Sequence, residues 1–171
     1  MLNQRHALTI LLAFCAASCG GINEDQARVL QGESGLSRSA VRAGDPEMDA
    51  AMAEARASLP EFLRAFRLAS PDHAGFAVKK EYRRNQYVEY IWITDLKING
   101  SVFEGTSGND SEDTVGVRFG DPARVTFDEV CDWMYTDNGV LVGGRTVRVV
   151  YSRMNGEQKA QFQKEAPFRI Q

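Results

Sequence analysis

At 171 residues the chain has room for one domain and little more. A net charge of -3, with 25% charged and 43% hydrophobic residues, is that of an ordinary globular protein and leaves no basic excess to neutralise phosphates, so no nucleic-acid partner is expected. Three cysteines and two histidines leave little material for a disulfide framework or a zinc site.

Residues Met1 to His6 carry one firm positive charge, Arg5, and an apolar run from Ala7 to Ala17 follows that is too short to span a bilayer. The run ends in Ala16-Ala17-Ser18-Cys19 and continues as Gly20-Gly21. This reads as a signal peptide over residues 1–18, and its ending resembles the lipobox of bacterial lipoproteins, with Ala16 where that pattern favours leucine. The resemblance implies acylation of Cys19. Gly20 stands where inner-membrane retention would call for aspartate, so it also implies a lipid anchor at the periplasmic face of the outer membrane. The rival reading is a plain secretory signal with Cys19 left as a thiol. Residues 19–44 are rich in Gly, Ser, Asn, Gln, Glu and Arg and read as a flexible tether with too little apolar surface to order itself.

The folded domain is expected over residues 45–171. Asp45-Pro46-Glu47 has the pattern of a helix start, and Met48, Met52, Ala55, Leu59, Phe62 and Phe66 share one helical face. Pro60 predicts a kink near Leu59 or a break and restart. Ser70 to Gly75 reads as a turn-rich connection in which His73 is a solvated loop residue.

Strands follow. Phe76 to Arg84 alternates as a half-buried strand, and Tyr87 to Ile98 reads as a central one, with Val88, Tyr90, Trp92, Leu96 and Ile98 on one face and Ile91 and Ile93 on the other. Asn99-Gly100 suits a type I′ turn into a strand from Val102 to Thr106. The acidic loop Ser107 to Asp113 lacks the spacing of a calcium loop and reads as solvated. Val115 and Val117 predict a resumed strand, Arg124 to Thr126 another, and Asp128 a cap on a single helical turn through Val130. Residues 146–154 fit strand or helix; four apolar matches, Val147, Val150, Tyr151 and Met154, favour helix. Asn155 caps a last helix from Gly156 to Glu165 with Phe162 inward, stopped by Pro167. The fold class is α+β: an N-terminal helix packed on a small antiparallel sheet of about four to five strands, then C-terminal helices.

The densest stretch is Asp132 to Arg148. It holds Trp133, Tyr135, an Asn-Gly turn, Gly143-Gly144 and Arg145. Paired glycines let backbone approach something closely or take positive φ, and the aromatics supply area with polar tips. One reading is a core tryptophan beside a tight turn. The functional reading is a binding face made by Trp133, Tyr135, Gly143, Gly144 and Arg145.

As a set, Ile91-Trp92-Ile93 with Gly105 and Asn109, Asp132-Trp133-Met134-Tyr135, Leu141-Val142-Gly143-Gly144 and Val147-Arg148 resemble the YegJ-like bacterial family, a domain of unknown function numbered twenty-three fourteen. The resemblance spans roughly Asp45 to Phe168 and implies a small α+β domain, often secreted or lipid-anchored, with no activity to carry over. Cys131 stands where the resemblance leads one to expect serine, which argues against a thiol nucleophile.

Chemistry is poorly supported on all sides. His73 is the one histidine past the leader and lies far from Cys131 along the chain, no Gly-x-Ser-x-Gly elbow occurs, and no phosphate loop or dinucleotide fingerprint is present. No catalytic residue, metal or cofactor is therefore expected. The first functional expectation is a lipid-anchored, non-enzymatic binding domain for a protein or envelope polymer. The alternative is a small hydrolase of envelope glycan or peptide working through carboxylates, with Glu104, Glu129, Asp132 and Asp137 as its acids; exposed acids on a solvated face explain the four more simply.

Overall fold

The computed structural model describes residues 45–85, 87–111 and 116–171. The expected leader over 1–18, Cys19 with the tether to residue 44, and Val115 lie outside the described residues.

Helix α1 (Pro46–Ala57) starts where the Asp45 carboxylate accepts from the Glu47 and Met48 amides, with Pro46 placed where no hydrogen bond is lost. The expected break is real: α1 ends at Ala57 and α2 (Leu59–Leu68) begins one residue later, with Ser58 between them and Pro60 in the first turn of α2. Then come β1 (His73–Arg84), β2 (Tyr87–Asn99), β3 (Val102–Ser107), β4 (Pro122–Thr126), a 3-10 turn at Phe127–Glu129, β5 (Val130–Asp137), β6 (Val140–Gly143), α3 (Arg145–Arg153) and α4 (Gly156–Glu165). The strands form one antiparallel sheet in the order β4-β3-β2-β1-β5-β6. Six strands are thus present where four to five were expected, because the stretch after Cys131 is itself a hairpin.

The sheet is open but curled. On a flat sheet β4 and β5 would stand about 19 Å apart, whereas the link from Thr126 to Val130 reaches at most about 14 Å. Curling brings the first residues of β5 toward β4, and Lys80 of β1 joins the two: its Nζ donates to the Arg124 carbonyl at 3.0 Å and pairs with Glu129 at 2.8 Å. One face carries Val78, Ile91, Ile93, Phe103, Val125 and Trp133 against Ala55, Leu59 and Phe62. The other carries Ala77, Trp92 and Met134 against Val147, Met154 and Phe162 of the C-terminal helices.

Several local expectations are corrected. Asp95 takes a φ of 52° inside β2 and the β2–β3 register shifts there, so Leu96 and Ile98 leave the Trp92 face and join Ile91 and Ile93. The β2–β3 turn is centred on Gly100 and Ser101 with positive φ at Gly100 alone, a type II′ pattern. The Asn-Gly type I′ turn occurs instead at Asn138-Gly139, where both residues have positive φ between Asp137 and Val140. Thr126, not Asp128, caps the 3-10 turn, sharing a capping box with Glu129. Val117 lies in no strand; its amide is held by the Ser111 hydroxyl. His73 opens β1 instead of lying in a loop, and its ring packs 4.8 Å from that of Tyr135. The helical reading of residues 146–154 holds as α3, and Asn155 caps α4 with Phe162 buried beneath it.

Candidate functional site

The block singled out in the sequence folds into the β5–β6 hairpin and the start of α3. Trp133 is an internal ring, 1% exposed, and its indole N–H donates to the Ala55 carbonyl at 2.8 Å. Gly143 and Gly144 both have positive φ, 73° and 58°. The close neighbour that requires glycine at 143 is Trp133 itself, since a Cβ there would lie 2.5 Å from its Cε3. Tyr135 is half-buried and stacks at 5.0 Å on Phe76, with Trp133 behind it at 6.3 Å. Burial, with Asp137 and Glu61 nearby, pushes its phenol upward. Arg145 lays its guanidinium over Trp133, 4.9 Å from the ring centre. The five expected residues therefore gather at one place, with Trp133 as the floor and the turn and Arg145 above it.

Under this block lies a polar cluster that the sequence did not reveal. Asp132, fully buried, accepts four hydrogen bonds: from the Trp133 amide (2.8 Å), the Arg145 amide (3.2 Å), the Thr146 amide (2.8 Å) and the Thr146 hydroxyl (2.6 Å). It caps α3 from a neighbouring strand, because Gly144 at the N-cap position has no side chain to do so. Lys79, 9% exposed and directly across from Asp132 in the β1–β5 ladder, donates to the Thr146 hydroxyl at 2.9 Å and sits 4.6 Å from the Trp92 ring centre. Burial draws the Lys79 ammonium below the ordinary lysine range, and the Asp132 charge opposes that. Reading Asp132 as an exposed acid is thereby corrected. Lys79 and Thr146 went unnoticed because their partner lies 53 and 14 positions away along the chain, and only the strand register unites them.

The other three acids are engaged separately. Glu104 pairs with Arg124 across β3 and β4 at 2.7 Å. Glu129 binds Lys80 and the Thr126 amide and hydroxyl, and these hold its carboxyl at about 2, with Lys80 the largest cause. Asp137, exposed, accepts from the Asn138 side chain. Each of the four acids has its own partners, and no two share a cation. Cys131 is buried against Met48 and Met52, within 3.6 Å of Arg56, and burial pushes its thiol upward despite that arginine. His73 pairs with Asp137 at the other end of β5, about 20 Å along the strand from Cys131. No group of three or more metal-binding side chains converges among the described residues.

The surface next to the block is a groove of about 480 Å³ between α1 and α3. Glu47, Ala50, Ala51 and Glu54 line one side, and Arg145, Arg148, Val149 and Ser152 the other. Each set has the i, i+3, i+4, i+7 spacing of a single helix face. The Arg145–Glu54 pair at one end and the Arg153–Glu47 pair at the other show that the two helices run antiparallel. Each of the three Arg148 guanidinium nitrogens is engaged, donating to Gly143, Gln171 and Leu141 oxygens. Arg145 is not engaged in this way. Its side chain is 17% exposed, its Nε pairs with Glu54 at 3.0 Å, and among the described residues its buried Nε and Nη1 make no hydrogen bond.

Residues 45–169 match a bacterial family described as an uncharacterized protein conserved in bacteria (DUF2314). A 100-residue stretch is 28% identical to the uncharacterized protein YegJ of Escherichia coli (strain K12), covering 58% of this chain and 64% of that protein. A 73-residue stretch is 29% identical to a putative ankyrin repeat protein of Neisseria meningitidis serogroup B, covering 43% of this chain and 29% of that one. The matched stretches thus span less than two thirds of either relative's length. No solved structure matches the chain.

Proposed function

This chain belongs to the bacterial DUF2314 family, and from that premise we propose that it is a lipid-anchored envelope protein whose domain binds a protein or envelope polymer and catalyses nothing. The observation that carries the reading is Arg145: a mostly buried guanidinium, seated on a rigid ring, with hydrogen-bonding capacity left unused beside an open groove. Arginine is among the residues enriched at binding hot spots. That each of the four acids is already engaged by its own partner supports binding over the carboxylate hydrolase. The anchor rests on the Ala16-Ala17-Ser18-Cys19 ending, and the outer membrane on Gly20.

The test is capture from the protein's own envelope extract by the native chain and by Arg145→Ala, alongside fractionation of Cys19→Ser. Loss of a specific partner in Arg145→Ala with a cooperative melt retained is the expected result, as is release of Cys19→Ser from membranes or its arrest as precursor. Loss of function at full stability in a variant of Glu104, Glu129 or Asp137, with capture intact, would instead establish the hydrolase.

A further inference from the structure

We propose that the groove between α1 and α3 is a carboxylate-binding site in which Arg145 takes the carboxylate of a peptide chain, displacing Glu54, which occupies that position in the free protein. This rests on the binding reading above and names its ligand chemistry.

The argument starts from the contrast between two arginines three residues apart on one helix face. Arg148 spends its donors on three oxygens of the protein. Arg145 offers the same five-donor fork, yet among the described residues its buried Nε and Nη1 make no hydrogen bond. Buried donors in native proteins are almost always satisfied, so an unpaired one asks for an explanation, and a ligand group is one that an adjoining groove can supply. Glu54 is poorly suited to be the permanent one: its side chain is 70% exposed and meets Nε without hydrogen-bond alignment. Such a surface pair is held weakly and yields readily to a better-aligned carboxylate.

Positioning favours binding. The Trp133 ring supports the guanidinium from beneath, and the Arg145 amide is tied to Asp132, so both ends of the residue are set before a ligand arrives. Ala50, Ala51 and Val149 contribute short apolar side chains along the groove, leaving room for small side chains of a peptide. Charge selects among anions. Glu47 is paired with Arg153, but Glu54 stands beside the Arg145 fork, so a doubly charged phosphate meets more repulsion there than a singly charged carboxylate.

The experiment is an NMR titration of the full-length, 15N-labelled chain in nonionic micelles, following the Arg145 Nε–H and Trp133 indole N–H. The probes are N-acetyl-dialanine, its C-terminal amide, N-acetylglutamic acid α-amide and inorganic phosphate. Dialanine acid should shift both resonances saturably, the amide should bind at least about tenfold more weakly, and Glu54→Gln should tighten the acid by about threefold or more. Arg145→Gln should abolish the response; because Glu54→Gln acts in the opposite direction, a general loss of folding cannot imitate the pair. N-acetylglutamic acid α-amide binding as well as dialanine acid assigns the site to acidic side chains, and weaker binding assigns it to chain termini; both support a carboxylate site. Equal binding of the dialanine amide, phosphate binding at least as tightly as the acid, or weaker binding in Glu54→Gln would overturn the proposal. Partner capture from envelope extract does not depend on this titration. Capture that persists with no carboxylate response refutes this site alone, and failed capture with a carboxylate response refutes only the macromolecular partner.

Discussion

Replacing Asp132 with alanine removes one carboxylate and strands four donors. The Trp133, Arg145 and Thr146 amides and the Thr146 hydroxyl all point at it, and Lys79 loses the acid that offsets its burial. Each buried donor left unpaired costs about 1–3 kcal/mol, but relaxation of the α3 start will satisfy some of them. Removing one member of a buried charged set costs about 3–5 kcal/mol as a whole, and the lost cap is contained in that figure. We expect about 4 kcal/mol, a large share of the roughly 5–15 kcal/mol typical of a domain. With a urea slope of about 2 kcal/mol/M, the midpoint should fall by about 2 M. The informative control is the double variant Asp132→Ala with Lys79→Met, which removes the stranded cation as well. It should regain about 1–3 kcal/mol over the sum of the single effects. A midpoint for Asp132→Ala within about 0.5 M of the native protein would refute the reasoning, and so would strict additivity in the cycle.

Gly143→Ala should be far worse than Gly144→Ala. Both positions have positive φ, but at 143 the new methyl meets the Trp133 ring and backbone at 2.4–2.6 Å, whereas at 144 it meets the Leu141 side chain alone at 2.9 Å, so urea melts should separate the two by about 1–3 kcal/mol. The Glu129 carboxyl, held at about 2 by Lys80 first and Thr126 next, stabilises the fold fully above its unfolded value near 4.5, and that contribution is lost as pH falls through about 2. Lys80→Met should move the Glu129 carboxylate titration upward, read by 13C NMR, while the Thr126 bonds keep it below the ordinary value; an unmoved titration would contradict the assignment.

The parts of the fold that are local were legible in the sequence. Asp45-Pro46 starts α1, Pro60 breaks it from α2, and Asn155 starts α4, because each of these acts within one turn of its own position. The misread parts depend on partners elsewhere. A non-glycine residue at positive φ, Asp95, inverts the facing of Leu96 and Ile98, and no alternation rule anticipates a bulge that the β3 register imposes. His73 looked like a loop residue because its neighbours are Pro71, Asp72 and Gly75, yet pairing with Asp137 draws it into β1. The same division runs through the site. Trp133, Tyr135, Gly143, Gly144 and Arg145 lie close in sequence and could be grouped by eye, while Lys79 reaches them only through strand pairing.

That grouping also explains why the site is rigid where it is and unfinished where it is. Gly143 permits Trp133 to sit flush beneath the turn, Trp133 supports the Arg145 guanidinium, and Asp132, adjacent to Trp133, holds the Arg145 amide. Every buried link in this chain of contacts is satisfied by the protein up to the last, the Arg145 N–H groups facing Glu54. Had packing alone determined the α3 surface, Arg145 would be expected to find carbonyls as Arg148 does three residues on. Instead the ordered scaffold ends at a charged fork beside a groove, with an exposed glutamate opposite it. An arrangement of that kind lowers the ordering cost of binding on the protein's side and leaves the alignment of the carboxylate to the ligand.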